Sequence, residues 1–165
     1  MADDPGTGRE GVGVSIVFLP HAPASVAVAR RHLSRELLAW GVAETVVDDA
    51  AVIVSELLSN ALRHARALPG AGQVKVAWIR HGDDVEVAVT DGGAATEPRK
   101  GQPALSSLGG RGLAIVENLS QSWGVRREGE GSTVWACLHA PACEVDISPG
   151  HTLSNETGTP VQNRR

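Results

Sequence analysis

The apolar positions along the chain change period several times, and each change marks an element. Residues 14–19 (Val-Ser-Ile-Val-Phe-Leu) are β-branched and apolar enough to predict a strand. Between residues 23 and 40, Val26, Ala29, Leu33, Leu37 and Trp40 recur at helical spacing, and Gly41 supplies a C-terminal stop. A second helix is predicted over residues 44–67, carried by Val46, Val47, Ala50, Ile53, Val54, Leu57, Ala61 and Leu62. Its ends suit the helix dipole: Thr45 is the expected N-cap, Asp48 and Asp49 the first turn, and Arg63, His64 and Arg66 the last, before Pro69-Gly70. Residues 74–79 and 85–90 both alternate and are joined through His81-Gly82-Asp83-Asp84, which predicts an antiparallel hairpin. Residues 92–110 show no period, and a long irregular loop in a small domain is either functional or disordered. A short helix over 112–119 and a last strand over 133–138 complete the pattern. The fold class is α+β, a two-layer sandwich with an antiparallel-rich mixed sheet and helices on one face.

The termini behave differently. Residues 1–12, rich in Gly, Asp and Pro, read as a flexible arm, and residues 141–165 as a disordered tail. One domain, 13–140, remains.

Composition removes several classes of function. A net charge of -4 argues against a nucleic-acid partner, which calls for a basic face. No apolar run approaches the roughly 20 residues of a membrane span, and the N-terminus lacks the basic and apolar regions of a signal peptide. Cys137 and Cys143 have no second pair at metal-ligand spacing and read as plain thiols in a reducing cytoplasm.

Candidate chemistry begins with Glu56 and Asn60. Four residues apart, they lie one turn apart on the same helix face. A carboxylate there can accept a proton, and a carboxamide oxygen can hold a hard cation such as Mg²⁺. Taken alone, such a pair belongs to a solvated face, but here the apolar positions already cover much of the helix circumference. Asp91-Gly92-Gly93 follows a strand: it is a turn signal, or a carboxylate set to receive an exocyclic amine with Gly93 admitting a flat base. Gly110-Arg111-Gly112 at a helix start is a plain loop or an anion site built from free backbone N–H groups. Gly131-Ser132-Thr133 precedes the last strand.

The order of these motifs is more informative than any one of them. Glu56-x3-Asn60, Asp91-x-Gly93, Gly110-x-Gly112 and Gly131-x-Thr133 resemble the N, G1, G2 and GT boxes of the GHKL (Bergerat-fold) ATP-binding superfamily. Within it, Ser55-Glu56-Leu57-Leu58-Ser59-Asn60-Ala61-x-x-His64-Ala65 and Gly110-Arg111-Gly112-Leu113-Ala114-Ile115-Val116 look most like stand-alone bacterial anti-sigma-factor serine kinases. The resemblance implies ATP and Mg²⁺ as cofactors. It makes Glu56 the general base, Asn60 the Mg²⁺ ligand, Asp91 the acceptor for the adenine amine with Gly93 beneath the ring, and Thr133 a supporting hydroxyl. Gly110 and Gly112 would cradle the phosphates, and Arg111 could pair with a terminal phosphate. It also implies a cytoplasmic protein whose partners are a sigma factor and an anti-sigma-factor antagonist, and homodimers are typical of related proteins. The chain departs from the pattern at Ala95, where the third glycine of G1 usually stands.

Two other readings compete. The same fold could bind ATP and a partner without transferring phosphate, a role that needs no base at Glu56. The catalytic half of a sensor histidine kinase is disfavoured, because His32 lies in the core-facing first helix without the usual following motif.

Overall fold

In the computed structural model, residues 12–94 and 110–142 are described. The strand β1 (Gly13–Pro20) leads into helices α1 (Ala24–Ala39) and α2 (Glu44–His64). The hairpin β2 (Gln73–His81) and β3 (Asp84–Asp91) follows, and then α3 (Gly110–Leu119), β4 (Ser122–Glu128) and β5 (Gly131–His139). The sheet order is β1-β2-β3-β5-β4. Every pairing among these strands is antiparallel, so the mixed sheet expected from the sequence is in fact uniform in sense.

Alternation divides the sheet cleanly. Val74, Val76, Trp78, Val85, Val87, Val89, Val134, Ala136 and Leu138 are buried beneath the helices. They meet Ala29, Leu33 and Leu37 of α1 and Val47, Ala50, Ile53, Val54, Leu57, Leu58 and Ala61 of α2 in one core. Burying aliphatic side chains of this kind contributes about 1.5–3 kcal/mol each. Trp78 is fully buried and donates its indole N–H to Glu36 Oε2 at 2.9 Å, so its one polar atom is satisfied inside the layer.

Helix ends show where the sequence reading needs correction. Gly41 does stop α1: with φ +77 it lets Val42 N–H reach Leu37 O and Gly41 N–H reach Leu38 O, each at 3.0 Å, which closes the helix as a Schellman motif. Thr45, by contrast, does not cap α2. The N-cap is Ala43, with no side-chain hydrogen bond, and Glu44 is the acidic residue of the first turn, which leaves Asp48 and Asp49 one turn further in. The helix also ends at His64 rather than near 67, because Ala65 turns to extended geometry and bridges Ala94. The strand β4 has no counterpart in the sequence reading. It is an edge strand, Ser-Trp-Gly-Val-Arg-Arg-Glu, with only Trp123 and Val125 facing inward, so its alternation is too short to register. Ala142, expected within a disordered tail, pairs with Val42 in an isolated bridge. The rest of that tail, the 1–11 part of the arm, Cys143, and the loop from Ala95 to 109 lie outside the described residues.

Candidate nucleotide site

The end of the sheet where β3 finishes and β5 begins gathers most of the residues singled out by sequence. The C-terminal half of α2 crosses above it. Ile53, Leu57 and Ala61 point down into the core, which leaves Glu56 and Asn60 on the flank of α2 that faces the start of α3. Gly112 proves the contact: a Cβ placed there would lie 2.7 Å from Glu56 Oε2, 3.4 Å from Asn60 Nδ2 and 3.6 Å from Asn60 Oδ1. Carboxylate, carboxamide and helix start are therefore one constellation. The helix opens at Gly110, so the N–H groups of its first turn lack intrahelical partners and its positive end lies beside the Glu56 carboxylate. Arg111 is exposed at this end.

Asn60 is 6% exposed, and its Nδ2 has no hydrogen-bond partner among the described residues. An unmade buried donor of this kind costs about 1–3 kcal/mol. A half-turn of the amide exchanges its nitrogen and oxygen, so the same position can present a donor or an acceptor.

Asp91 closes β3 with only 5% of its surface exposed. Its Oδ1 accepts the Gly93 N–H at 2.8 Å. Burial pushes the carboxyl above its ordinary range, while the Gly93 N–H and the nearby His21 pull it back. The two glycines after it are required by close approach rather than by a hairpin turn. A Cβ on Gly92 would sit 2.2 Å from the Ala67 carbonyl oxygen, and Gly93, at φ +93, would place one 2.5 Å from the Glu130 carbonyl oxygen. The chain leaving α2 holds this corner: Arg66 N–H donates to Gly93 O at 2.9 Å, and Gly92 N–H donates to Arg66 O at 2.8 Å. That short ladder is the reason α2 stops early.

Thr133 does not join the site. It pairs with Thr90, and the two hydroxyls are 2.7 Å apart on the sheet face turned away from the helices. The residue opposite Asp91 in the ladder is Ser132. Strand alternation puts Ser132 on the helix side with Val134 and Ala136, and counting that period back from the buried valine would have found it. On the far flank of α2, a groove of about 440 Å³ is lined by His21, Pro23, Val26, Ser59, Leu62 and Arg63, and no sequence motif had pointed to it.

Fold and site together define a class: a two-layer α+β sandwich that sets a carboxylate–carboxamide helix against a glycine-opened helix, with an Asp-Gly-Gly strand end beside the segment leaving the first of them. The comparisons with known proteins give that class its family. The profile of the histidine kinase-like ATPase domain matches residues 19–138, and the chain belongs to that family. Among curated proteins, the serine-protein kinase RsbW of Listeria monocytogenes is 30% identical over 112 residues, covering 61% of this chain and 71% of that protein. The protein of the same name from Oceanobacillus iheyensis is 29% identical over 112 residues. Among solved structures, the RsbU and RsbW domains of Rv1364c from Mycobacterium tuberculosis align with a TM-score of 0.61 at 21% identity, covering 78% of this chain. This chain spans about a third (32%) of that one, and the likeness supports the fold.

Proposed function

We propose that the protein is an ATP-dependent serine kinase of the anti-sigma-factor type, acting in the cytoplasm on an anti-sigma-factor antagonist and holding a sigma factor when unopposed. The observation that carries the reading is the buried Asn60 amide, its Nδ2 without a partner among the described residues, beside the Glu56 carboxylate at the opening turn of α3. Such an arrangement is costly in an idle helix and suits a ligand of phosphate and cation. Relatives named as serine-protein kinases support the choice of reaction.

Each residue takes a role its position allows. Asp91, buried at the strand end, accepts a hydrogen bond from the adenine amine, and Gly93 leaves room for the flat ring. Ser132, opposite Asp91, takes the supporting hydroxyl role in place of Thr133. Gly110 and Gly112 present the first-turn N–H groups of α3 to the phosphates, with Arg111 at the rim to pair with a terminal phosphate. Glu56 receives the proton of the attacking serine hydroxyl as its oxygen bonds to the γ-phosphorus and the bond to the β-phosphate oxygen breaks, releasing ADP. Among the described residues no group of three or more His, Cys, Asp or Glu could hold a metal alone. Mg²⁺ would need no such cluster if ATP supplied most of its oxygen ligands, and the Asn60 carboxamide oxygen would be the protein's contribution to holding it. The ion would neutralise charge on the transferring phosphoryl group.

Calorimetric titration with ATP and Mg²⁺ tests the pocket. Wild type is expected to bind saturably, Asp91→Asn to lose about 10–100-fold in affinity with the loss of a charge-assisted hydrogen bond, and Ser132→Ala to bind more weakly than wild type. Thr133→Ala is expected to bind as wild type does. No binding by wild type ends the proposal. The raised Asp91 pKa adds a sign. Between the usual 3.8 and its raised value the folded chain holds the proton more tightly than the unfolded chain, so stability falls as pH rises through that window. Affinity for ATP moves the other way, because only the ionised carboxylate is purely an acceptor. Asp91→Asn should therefore match or exceed the wild-type Tm at neutral pH while binding ATP more weakly by the factor given above.

Homodimerisation belongs to the same proposal. The sheet face without helices carries Val12, Val14, Ile16 and Phe18 in one row along edge strand β1, each more than half exposed. At the other edge the face is polar, where Arg126 pairs with Glu86 through two bonds of 2.9 and 3.0 Å and lies over the Trp135 ring. An uncovered apolar row of this length favours a protein contact. Sedimentation velocity of the full chain at micromolar concentration is expected to give a dimer. No helix among the described residues is long and apolar enough to cross a membrane.

A further inference from the structure

The corner that carries Asp91 is held by backbone bonds to residues 65–67, and those residues are held in turn by a side chain that no motif includes. His21, in the turn between β1 and α1, places its Nε2 3.0 Å from the Ala65 carbonyl oxygen. Its own backbone N–H donates to Gly72 O at 3.0 Å, which anchors it to the chain entering β2. Ala65 is the first residue beyond α2, and it bridges Ala94 on the far side of the Asp91-Gly92-Gly93 turn. The sequence of contacts is continuous: His21, the Ala65 carbonyl, the 65–67 segment, Gly92 and Gly93, and then the Asp91 carboxylate through its bond from Gly93.

The tolerances along this path are small. With a Cβ at Gly92 only 2.2 Å from the Ala67 oxygen, the segment and the turn are packed backbone against backbone, and neither can shift without moving the other. The helix has already ended at His64. The Ala65 carbonyl therefore needs a donor from outside α2 to fix its direction, and His21 supplies it. His21 also lies close enough to Asp91 for its charge to act on the carboxylate.

We propose that His21 is a positioning residue for the base end of the nucleotide site, setting the 65–67 segment and thereby the placement of Asp91 and Gly93. This rests on the reading of the Asp91 corner as the adenine pocket. A single hydrogen bond acting through the backbone predicts a change in nucleotide affinity rather than in the chemical step, because Glu56 and Gly112 share none of these bonds.

Calorimetry of ATP and ADP binding, alongside phosphorylation of the partner at saturating ATP, reads the two effects apart. His21→Ala is expected to weaken both nucleotides about tenfold, the loss of one good hydrogen bond, with the maximal rate within twofold of wild type. His21→Gln, whose terminal amide can reach the same carbonyl, is expected to restore affinity to within about threefold. If His21→Ala loses too much Tm for titration, His21→Leu, which fills the volume without a donor, replaces it in the series. Equal affinity in wild type and the donor-less variant overturns the inference. So does equal weakness in the donor-less variant and His21→Gln, which would mark a merely structural side chain. Failure of wild type itself to bind nucleotide is a different result, and it removes the pocket reading on which the inference stands.

Discussion

Glu56→Gln is expected to bind ATP as tightly as wild type and to phosphorylate its partner about 10²–10⁴-fold more slowly, the contribution of a positioned general base. The amide keeps the size of the carboxylate, so its contact with the opening turn of α3 survives. What it loses is the ability to accept a proton. Paired measurements on the full chain, ATP affinity by calorimetry and single-turnover phosphate transfer to the antagonist, separate these terms. Transfer at the wild-type rate would remove Glu56 from the chemistry, and the non-catalytic reading, a module that uses ATP only to set its shape, would then be the better one.

The second large effect is expected at Gly112. Alanine adds a carbon 2.7 Å from Glu56 Oε2, a distance that real side chains do not tolerate. The neighbour is the end of a flexible side chain, so the fold is expected to survive with its Tm lowered by only a few degrees. The carboxylate must swing away, and a displacement of about an ångström from the reacting atoms can cost roughly 100-fold in rate. Gly112→Ala should therefore lose about that much in phosphate transfer. Its partner in a double-mutant cycle is Glu56→Gln: once the base is gone, moving it should matter little, and the combined loss should fall well short of the product of the two. Additive losses would mean that the glycine serves the phosphates alone.

The parts of this protein legible in the sequence share one property, which is a signal repeated several times within one element. The β2–β3 hairpin shows in a two-residue period over both arms, and α1 and α2 show in runs of apolar positions that the core uses as written. Glu56, Asn60, Asp91, Gly93 and Gly112 stand out in the sequence through the order of their motifs, and the structure sets Gly112 against Glu56 and Asn60. What escaped depends on single partners far away in the chain. The end of α2 is decided by Ala94 and Gly93, not by Pro69. The start of α2 has no side-chain cap, so looking for one at Thr45 misplaced it. The Gly131-x-Thr133 resemblance points to Thr133, whereas the pleat of β5 turns Ser132 to the side of the sheet that carries Asp91. β4 earns its strand only from pairing with β5, and its exposed residues Arg126, Arg127 and Glu128 erase the period that would reveal it. His21 bears on the pocket through a carbonyl, which no side-chain pattern records.

The order of the strands also bears on the birth of the protein. β1 leaves the ribosome before its ladder partner β2, so Val17 must wait for Val76 and Phe18 for Lys75. Both long helices are translated in that interval, and at about 5–20 residues per second the delay lasts some seconds. During it the backbone of residues 13–20 has no ladder partner, and the apolar side chains of Ile16 and Phe18 leave the ribosome before the sheet they join exists.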